Sequence, residues 1–286
     1  MLSVNGNVPG PGADGPRYAQ ELVMQLNTDR MIARKADGIG WMIFNNPARR
    51  NAISLAMREA MADIFHSYNQ DDDVRVLIMT GAGDKAFVSG ADISEFKEKR
   101  NNAQMQAEYA KVSQRAGDAM RDFDKPIIAM IQGFCIGGGL ATALGADLRI
   151  ASDDSQFGIP AAKLGLGYSL SQVKMLADVV GPAYANEILF TGRRYGADKA
   201  FEMGLLNRIT TVTDLESTVL EYAQEIANNA PLTIKAAKAT IRELYRQEEP
   251  DQARVDSLLK ACFDSEDYLE GRNAFTEKRA PVFKGR

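Results

Sequence analysis

Apolar and polar residues alternate along "RMIARKADGIGWMIFNNP" on both sides of Asp37-Gly38, a dipeptide suited to a two-residue hairpin turn. The pattern predicts two antiparallel strands joined there. The period then lengthens. In "SLAMREAMADIFHSYNQ", Met57, Met61, Ile64, Phe65 and Tyr68 recur at helical spacing and mark a core-facing stripe, with Ser54 as the N-cap. "VRVLIMTG" is a continuous apolar run that reads as a buried strand, followed by the loop "AGDKAFVSGAD". Residues 101–123 read as a helix that stops before Asp124-Lys125-Pro126, because a residue preceding proline avoids the helical region. "IIAMIQG" is a second buried strand running directly into "GFCIGGGLATALGAD". A short helix through Gly145 and a third strand, "DLRIAS", come next.

A strand–loop–helix unit therefore recurs, from Val74–Thr80 and again from Ile127–Gln132, and predicts a mostly parallel α/β architecture. From about Thr213 the strands stop. "DLESTVLEYAQEIANN", "PLTIKAAKATIRELYRQ", "DQARVDSLLKACF" and "SEDYLEGRNAFTEKR" are helical stretches, with Pro231 at a helix N1 position and Pro250 at a join. Amphipathic helices need a surface to cover, so these are expected on the core, on another subunit, or on both. The opening "MLSVNGNVPGPGADGPRYAQ" has neither the apolar stretch of a signal peptide nor the arginines of a transit peptide. Its Gly, Pro and Asn content reads as a disordered tail. The expected organisation is a tail over 1–27, a core over 28–212 and a helical oligomerisation region over 213–286.

Composition acts mainly by exclusion. A chain that is 45% hydrophobic and 25% charged is ordinary for a soluble globular protein. A net charge of −4 gives no general attraction to nucleic acid or anionic membrane. No apolar run approaches the roughly 20 residues of a membrane helix. Two cysteines, Cys135 and Cys262, make no disulfide framework, which fits a reducing compartment, and a cytoplasmic location is expected. No metal-ligand cluster is visible. His66, the only histidine, shares a polar helix face with Glu59, Asp63 and Gln70 and reads as solvated. Cys135 has no histidine that can be placed beside it and reads as a small buried residue.

The chemical question lies in the glycines. "SGAD" (Ser89–Asp92) and "IGGG" (Ile136–Gly139) each follow a buried strand and place small residues at a helix start. Helix N-termini present unpaired N–H groups, so two such loops can aim donors at one point. Equally, glycine can serve only to permit a tight turn. The residues behind the run, Leu140, Ala141 and Ala143, offer no acid, base or nucleophile.

The surrounding motifs resemble the crotonase family of enoyl-CoA hydratases and isomerases. They are "NPARRNAIS", "GAGDKAFVSGADI", "KPIIAMIQGFCIGGG", "ADLRIAS", "FGIPAAKLGLG", "FTGRRYGADKAFEMGLLNRI" and the terminal "AFTEKRAPVFK", in the family's order from about Ile32 onward. The resemblance implies a spiral of ββα units with a C-terminal helical region, assembled as trimers or pairs of trimers. It implies that the N–H groups of Ala91 and Gly138 hold the thioester oxygen of an acyl-CoA, with coenzyme A as part of the substrate and no separate cofactor. By position it assigns CoA contacts to Arg49 and Arg50, to Lys85, to the adenine-supporting stretch Ala91, Asp92 and Ile93, and to Phe275 and Lys278. Arginines suit phosphates through forked, charge-assisted hydrogen bonds.

The resemblance also exposes a departure. Hydratases of the family use two glutamates, and the motifs place Ala141 at the first position and Ala161 at the second. A methyl group neither orders water nor moves a proton. Tyr168, in a segment that lines the acyl pocket of relatives, is a weak acid that can donate a proton to an enolate or simply wall the pocket. Asp147 matches a structural aspartate, Asp92 is expected to cap a helix, and Glu95 and Glu98 are expected on the helix that follows. The default reaction is reversible hydration of a 2-enoyl-CoA. The alternatives are another enolate reaction, or a CoA-thioester-binding protein with little turnover.

Overall fold

In the computed structural model, which describes residues 2–3, 22–92, 103–246 and 248–286, the expected tail contributes two short strands. β1 (Leu2–Ser3) pairs with β2 (Leu22–Met24), and β2 pairs antiparallel with β3 (Met31–Ala36). Order thus begins ahead of residue 28, because Leu22–Met24 extends the edge of the first hairpin. That hairpin joins β3 to β4 (Ile39–Phe44) through Asp37 and Gly38, whose positive φ values of 52° and 80° match the twist of the strands. Ser54 caps α1 (Leu55–Gln70) by accepting from the Met57 N–H, and the five stripe residues are all buried.

From β4 onward the chain winds through two sheets. β5 (Val76–Gly81) lies parallel to β4 in the first sheet, then β6 (Ala86–Val88) enters a second sheet, and α2 (Ala103–Arg121) follows. The next turn repeats this with β7 (Ile127–Ile131), β8 (Phe134–Ile136) and α3 (Gly138–Leu144). A third runs through β9 (Leu148–Ser152), β10 (Gln156–Gly158), α4 (Ala161–Leu164) and the long α5 (Leu170–Thr191). β11 (Tyr195–Gly196), α6 (Ala197–Glu202) and β12 (Arg208–Thr210) close the spiral. The first sheet has the order β1-β2-β3-β4-β5-β7-β9-β12, the second β11-β10-β8-β6. The loop expected over "AGDKAFVSGAD" therefore contains a strand. The run "IIAMIQGFCIGGG" is two strands that change sheet at Gly133, where φ is +66° and a Cβ would sit 2.3 Å from the Lys85 carbonyl oxygen.

The central strands are buried on both faces, as a parallel sheet requires. Leu77, Met79, Ala129 and Ile131 join one core with α1, while Val76, Ile78, Ile128 and Ile150 join a second. The second core is closed by α7 (Leu215–Asn228), whose Leu215, Val219, Ala223 and Ala227 form one stripe at four-residue spacing. The remaining helices, α8 (Pro231–Leu244), α9 (Gln252–Phe263) and α10 (Glu266–Glu277), build outward, each packing on the one before or after it. Asp251 and Ser265 cap α9 and α10 by accepting from Arg254 N and Tyr268 N. The final segment returns to the body. Arg75 Nη2 donates to the Phe283 carbonyl at 2.7 Å, and Asp267 accepts from the Lys284 and Gly285 N–H groups.

α8 is fastened to the core by charge. Lys238 Nζ lies 2.7 Å from Asp147 Oδ2 and 2.6 Å from the Lys125 carbonyl oxygen, and Asp147 also accepts from the Ile127 N–H. Asp147 thus has the structural role expected of it. Burial lowers the Lys238 pKa to about 8, outweighing the attraction of Asp147. Below that pH the folded chain holds a buried charge at a cost of about 3 kcal/mol relative to the unfolded chain, where water solvates it. Between pH 8 and 10.5 the unfolded state binds the extra proton, so this group's contribution to stability rises with pH. The stability of the wild type relative to Lys238→Met is therefore expected to increase by about 1 kcal/mol between pH 7.5 and 9, read from urea unfolding midpoints. A difference that stays flat or falls over this range contradicts the assignment.

Candidate functional site

β6, β8 and β10 run parallel, so their C-terminal ends lie on one side of the second sheet. Ser89–Asp92 leaves the first end, α3 starts at the second and α4 at the third. Such a convergence is where parallel α/β structures place ligands.

The three glycines do different work. Gly137, the α3 N-cap, takes φ 57° and ψ −116°, closed to other residues. A Cβ on Gly139 would fall 2.0 Å from the Val88 carbonyl oxygen, so the helix backbone rests directly on β6. Gly138 differs. A Cβ there would meet the Ala91 nitrogen at 3.5 Å, an ordinary contact. The fold tolerates a side chain at 138, and that side chain would lie against the Ala91 backbone nitrogen.

Ala91 is held by its neighbours. Ile53 N donates to the Gly90 carbonyl at 2.8 Å, and Asp92 N donates to the Ile53 carbonyl at 2.9 Å. In such a parallel bridge the central residue's own N–H points away from the partner strand. Gly138 is the first residue of α3, so its N–H has no partner within the helix. The two N–H groups thus belong to separate elements that lie against each other, a Cβ on Gly138 falling 3.5 Å from the Ala91 nitrogen.

The residues assigned to CoA divide into three groups. The loop from Asn46 to Ile53 adjoins Ala91 directly. Its Asn51 is fully buried, receives the Asn46 N–H, and donates to the Ala82 and Ala86 carbonyls at 3.0 and 2.7 Å. This brace was not singled out in the sequence, where a single Asn after two arginines carries no periodic signal. Arg49 pairs with Asp92, Nη1 to Oδ1 3.0 Å. Asp92 is thus an ion-pair partner, and the helix it was expected to cap lies outside the described residues. Arg50 lays its guanidinium 4.9 Å from the Phe134 ring centroid, and Arg194 approaches the same ring at 5.3 Å. Lys85 is exposed at the start of β6. Ile93, Glu95 and Glu98 fall outside the described residues. Phe275 is 87% exposed and Lys278 is the α10 C-cap. Within one chain these two sit at the C-terminal end of a helix packed against α9.

The floor is as inert as its sequence. Ala141 is half-buried on the same side of α3 as Gly137 and Gly138, and Ala161 is buried at the start of α4. Tyr168 packs against the core, and burial raises its phenol pKa, which suits a wall or a reluctant donor rather than a base. Burial also raises the Cys135 thiol far above its ordinary range. His66 is exposed on α1. A separate cavity of about 620 Å³ is lined by Lys35, Asp37, Arg75, Asn228 and Phe283, none of them from the converging loops. Its cations are already committed, Lys35 to Asp71 and Asp73 and Arg75 to backbone carbonyls. Among the described residues no helix is long and apolar enough to cross a membrane, and no cluster of potential metal ligands occurs.

Comparison with known proteins places this geometry. The profile of the enoyl-CoA hydratase/isomerase family matches residues 34–286. Carnitinyl-CoA dehydratase of Salmonella typhi is 36% identical over 247 residues, covering 83% of this chain and 92% of the relative. The Proteus mirabilis carnitinyl-CoA dehydratase is 36% identical over 254 residues, covering 86% and 94%. Among solved structures, an enoyl-CoA hydratase/carnithine racemase from Magnetospirillum magneticum superposes with a TM-score of 0.87 at 35% identity, covering 91% of this chain and 97% of that one. An enoyl-CoA hydratase from Bacillus anthracis gives 0.82 at 29% identity, covering 90% and 100%. With the spiral of ββα turns and the matched length, these similarities establish that the chain belongs to the enoyl-CoA hydratase/isomerase family, within the crotonase superfamily.

Proposed function

We propose that the protein binds an acyl-CoA thioester and polarises its carbonyl between the N–H groups of Ala91 and Gly138, stabilising an enolate. The observation that carries this reading is Gly138, where the fold admits a Cβ in ordinary contact with the Ala91 nitrogen and the chain has none. A well-aimed donor in such a site contributes roughly 3–4 kcal/mol at a transition state. The reaction is reversible addition of water to a 2-enoyl-CoA or its loss from a hydroxyacyl-CoA, in keeping with relatives that are dehydratases. Coenzyme A is part of the substrate, and the reading calls for no other cofactor.

Binding is expected whether or not turnover is fast. Arg50, Lys85 and Arg194 supply positive charge near the loop that adjoins the donors. Calorimetric titration with a non-hydrolysable acyl-CoA is expected to show binding that weakens as salt is raised. No binding at millimolar ligand overturns the proposal.

Chemistry is a separate matter. With Ala141 and Ala161 at the positions where the family carries glutamates, hydration of crotonyl-CoA is expected to be slow, since one positioned acid or base contributes about 100- to 10,000-fold. Ala141→Glu combined with Ala161→Glu is expected to raise the rate, followed as loss of enoyl-thioester absorbance. Burying carboxylates also carries a desolvation penalty, so the gain will be partial. A wild-type rate typical of enzymes refutes the argument and makes Tyr168 the first residue to replace. A CoA-thioester-binding protein with little turnover is the second reading, favoured by the same two alanines. It stands if binding is tight and neither hydration nor dehydration is detected.

The assembly we propose is a trimer or a pair of trimers. Leu259, Phe263, Tyr268, Leu269 and Phe275 leave a large apolar surface on α9 and α10 exposed in the single chain. Light scattering is expected to give at least three times the monomer mass. A monomer at micromolar concentration contradicts it.

A further inference from the structure

We infer that Arg49 is a positioning residue, acting through Asp92 on the aim of the Ala91 N–H. The inference rests on the oxyanion-binding reading above and deepens it. By motif Arg49 is expected to meet a phosphate of CoA, but its guanidinium is turned to protein. Nη1 lies 3.0 Å from Asp92 Oδ1 and 3.4 Å from Oδ2. Asp92 is 5% exposed and Arg49 53%. A carboxylate buried to that degree requires charge-assisted partners, whereas a half-exposed guanidinium does not require a carboxylate. The pair therefore serves Asp92, and Asp92 adjoins the donor.

Four hydrogen bonds tie the same two segments together. Ser89 N donates to the Arg50 carbonyl at 3.0 Å and Ser89 Oγ to the Arg49 carbonyl at 3.3 Å. The two bridge bonds at Ile53 flank Ala91. Backbone bonds hold Gly90 and Asp92 on either side of Ala91, and the ion pair adds a side-chain tie at Asp92. A donor whose direction drifts loses most of its worth, since misplacement of about 1 Å can lower a rate about 100-fold. The half-exposed Arg49 can approach a phosphate as well, so the test must separate the two roles.

The discriminating probe is a conjugated dienoyl thioester, offered once on CoA and once on pantetheine, which has no nucleotide. Polarisation of its carbonyl on binding shifts the absorption to longer wavelength, and the shift is extrapolated to saturation so that affinity is removed. Arg49→Gln is expected to lose more than half of the wild-type shift with both thioesters. Asp92→Asn is expected to do the same, and the double variant to lose no more than either single one. Arg49→Lys, which keeps the charge, is expected to restore part of it. If Asp92→Asn fails to fold, the two Arg49 variants carry the test alone, because that side chain is half-exposed. A full shift in Arg49→Gln with the pantetheine thioester, and weaker affinity for the CoA thioester alone, would overturn the inference and make Arg49 a phosphate ligand. A wild type that shifts neither probe removes the oxyanion reading itself, and the inference with it.

Discussion

The site depends on one contact between two backbones, Gly139 of α3 resting on the carbonyl of Val88. Any Cβ would hold the helix away from β6. With the helix held off, the first residues of α3 and the Ser89–Asp92 loop would no longer share a point in space. The chemistry of the site follows from a steric fact. Glycine is present here for what it omits, and the donors proposed for the site are backbone groups.

The sequence disclosed this unevenly. The stripe of α1, the Asp37-Gly38 hairpin, the buried runs of β5 and β7 and the four C-terminal helices were legible because each repeats a period over many residues. The second sheet was not legible. Its strands are two or three residues long, too short for alternation, and are recruited by pairing with one another rather than by their own pattern. The glycine run looked like a turn or a donor loop, and only the unequal surroundings of Gly138 and Gly139 distinguish the two uses. Motif resemblance located Arg49 and Asp92 but could not say that they would hold each other. That is a question of side-chain direction, which sequence order leaves open.

Several partly or fully buried cations join distant parts of the chain. Lys238 reaches Asp147 across 91 positions, Arg242 reaches the Phe123 carbonyl across 119, and Arg75 reaches Phe283 across 208. Burial lowers the pKa of Lys238 and Arg242 alike, so these ties are not sources of large stabilisation. They specify where the helical region docks. The apolar stripe of α7 supplies the adhesion, and the buried cations of α8 supply the register.

The strand order has a consequence for how such a chain is made. In the first sheet β3, β4, β5, β7, β9 and β12 are neighbours in the order in which they are translated, and in the second sheet so are β6, β8, β10 and β11. No strand has to be inserted between two already paired. Each new turn can add to an edge left by the last, so a nascent chain can build the spiral as it emerges from the ribosome. At each stage the growing sheet carries an open edge of the kind that invites pairing with another chain, and β12 is the edge strand of the finished sheet. The clasp between Arg75 and Phe283 spans 208 positions, so it cannot form until both residues have emerged.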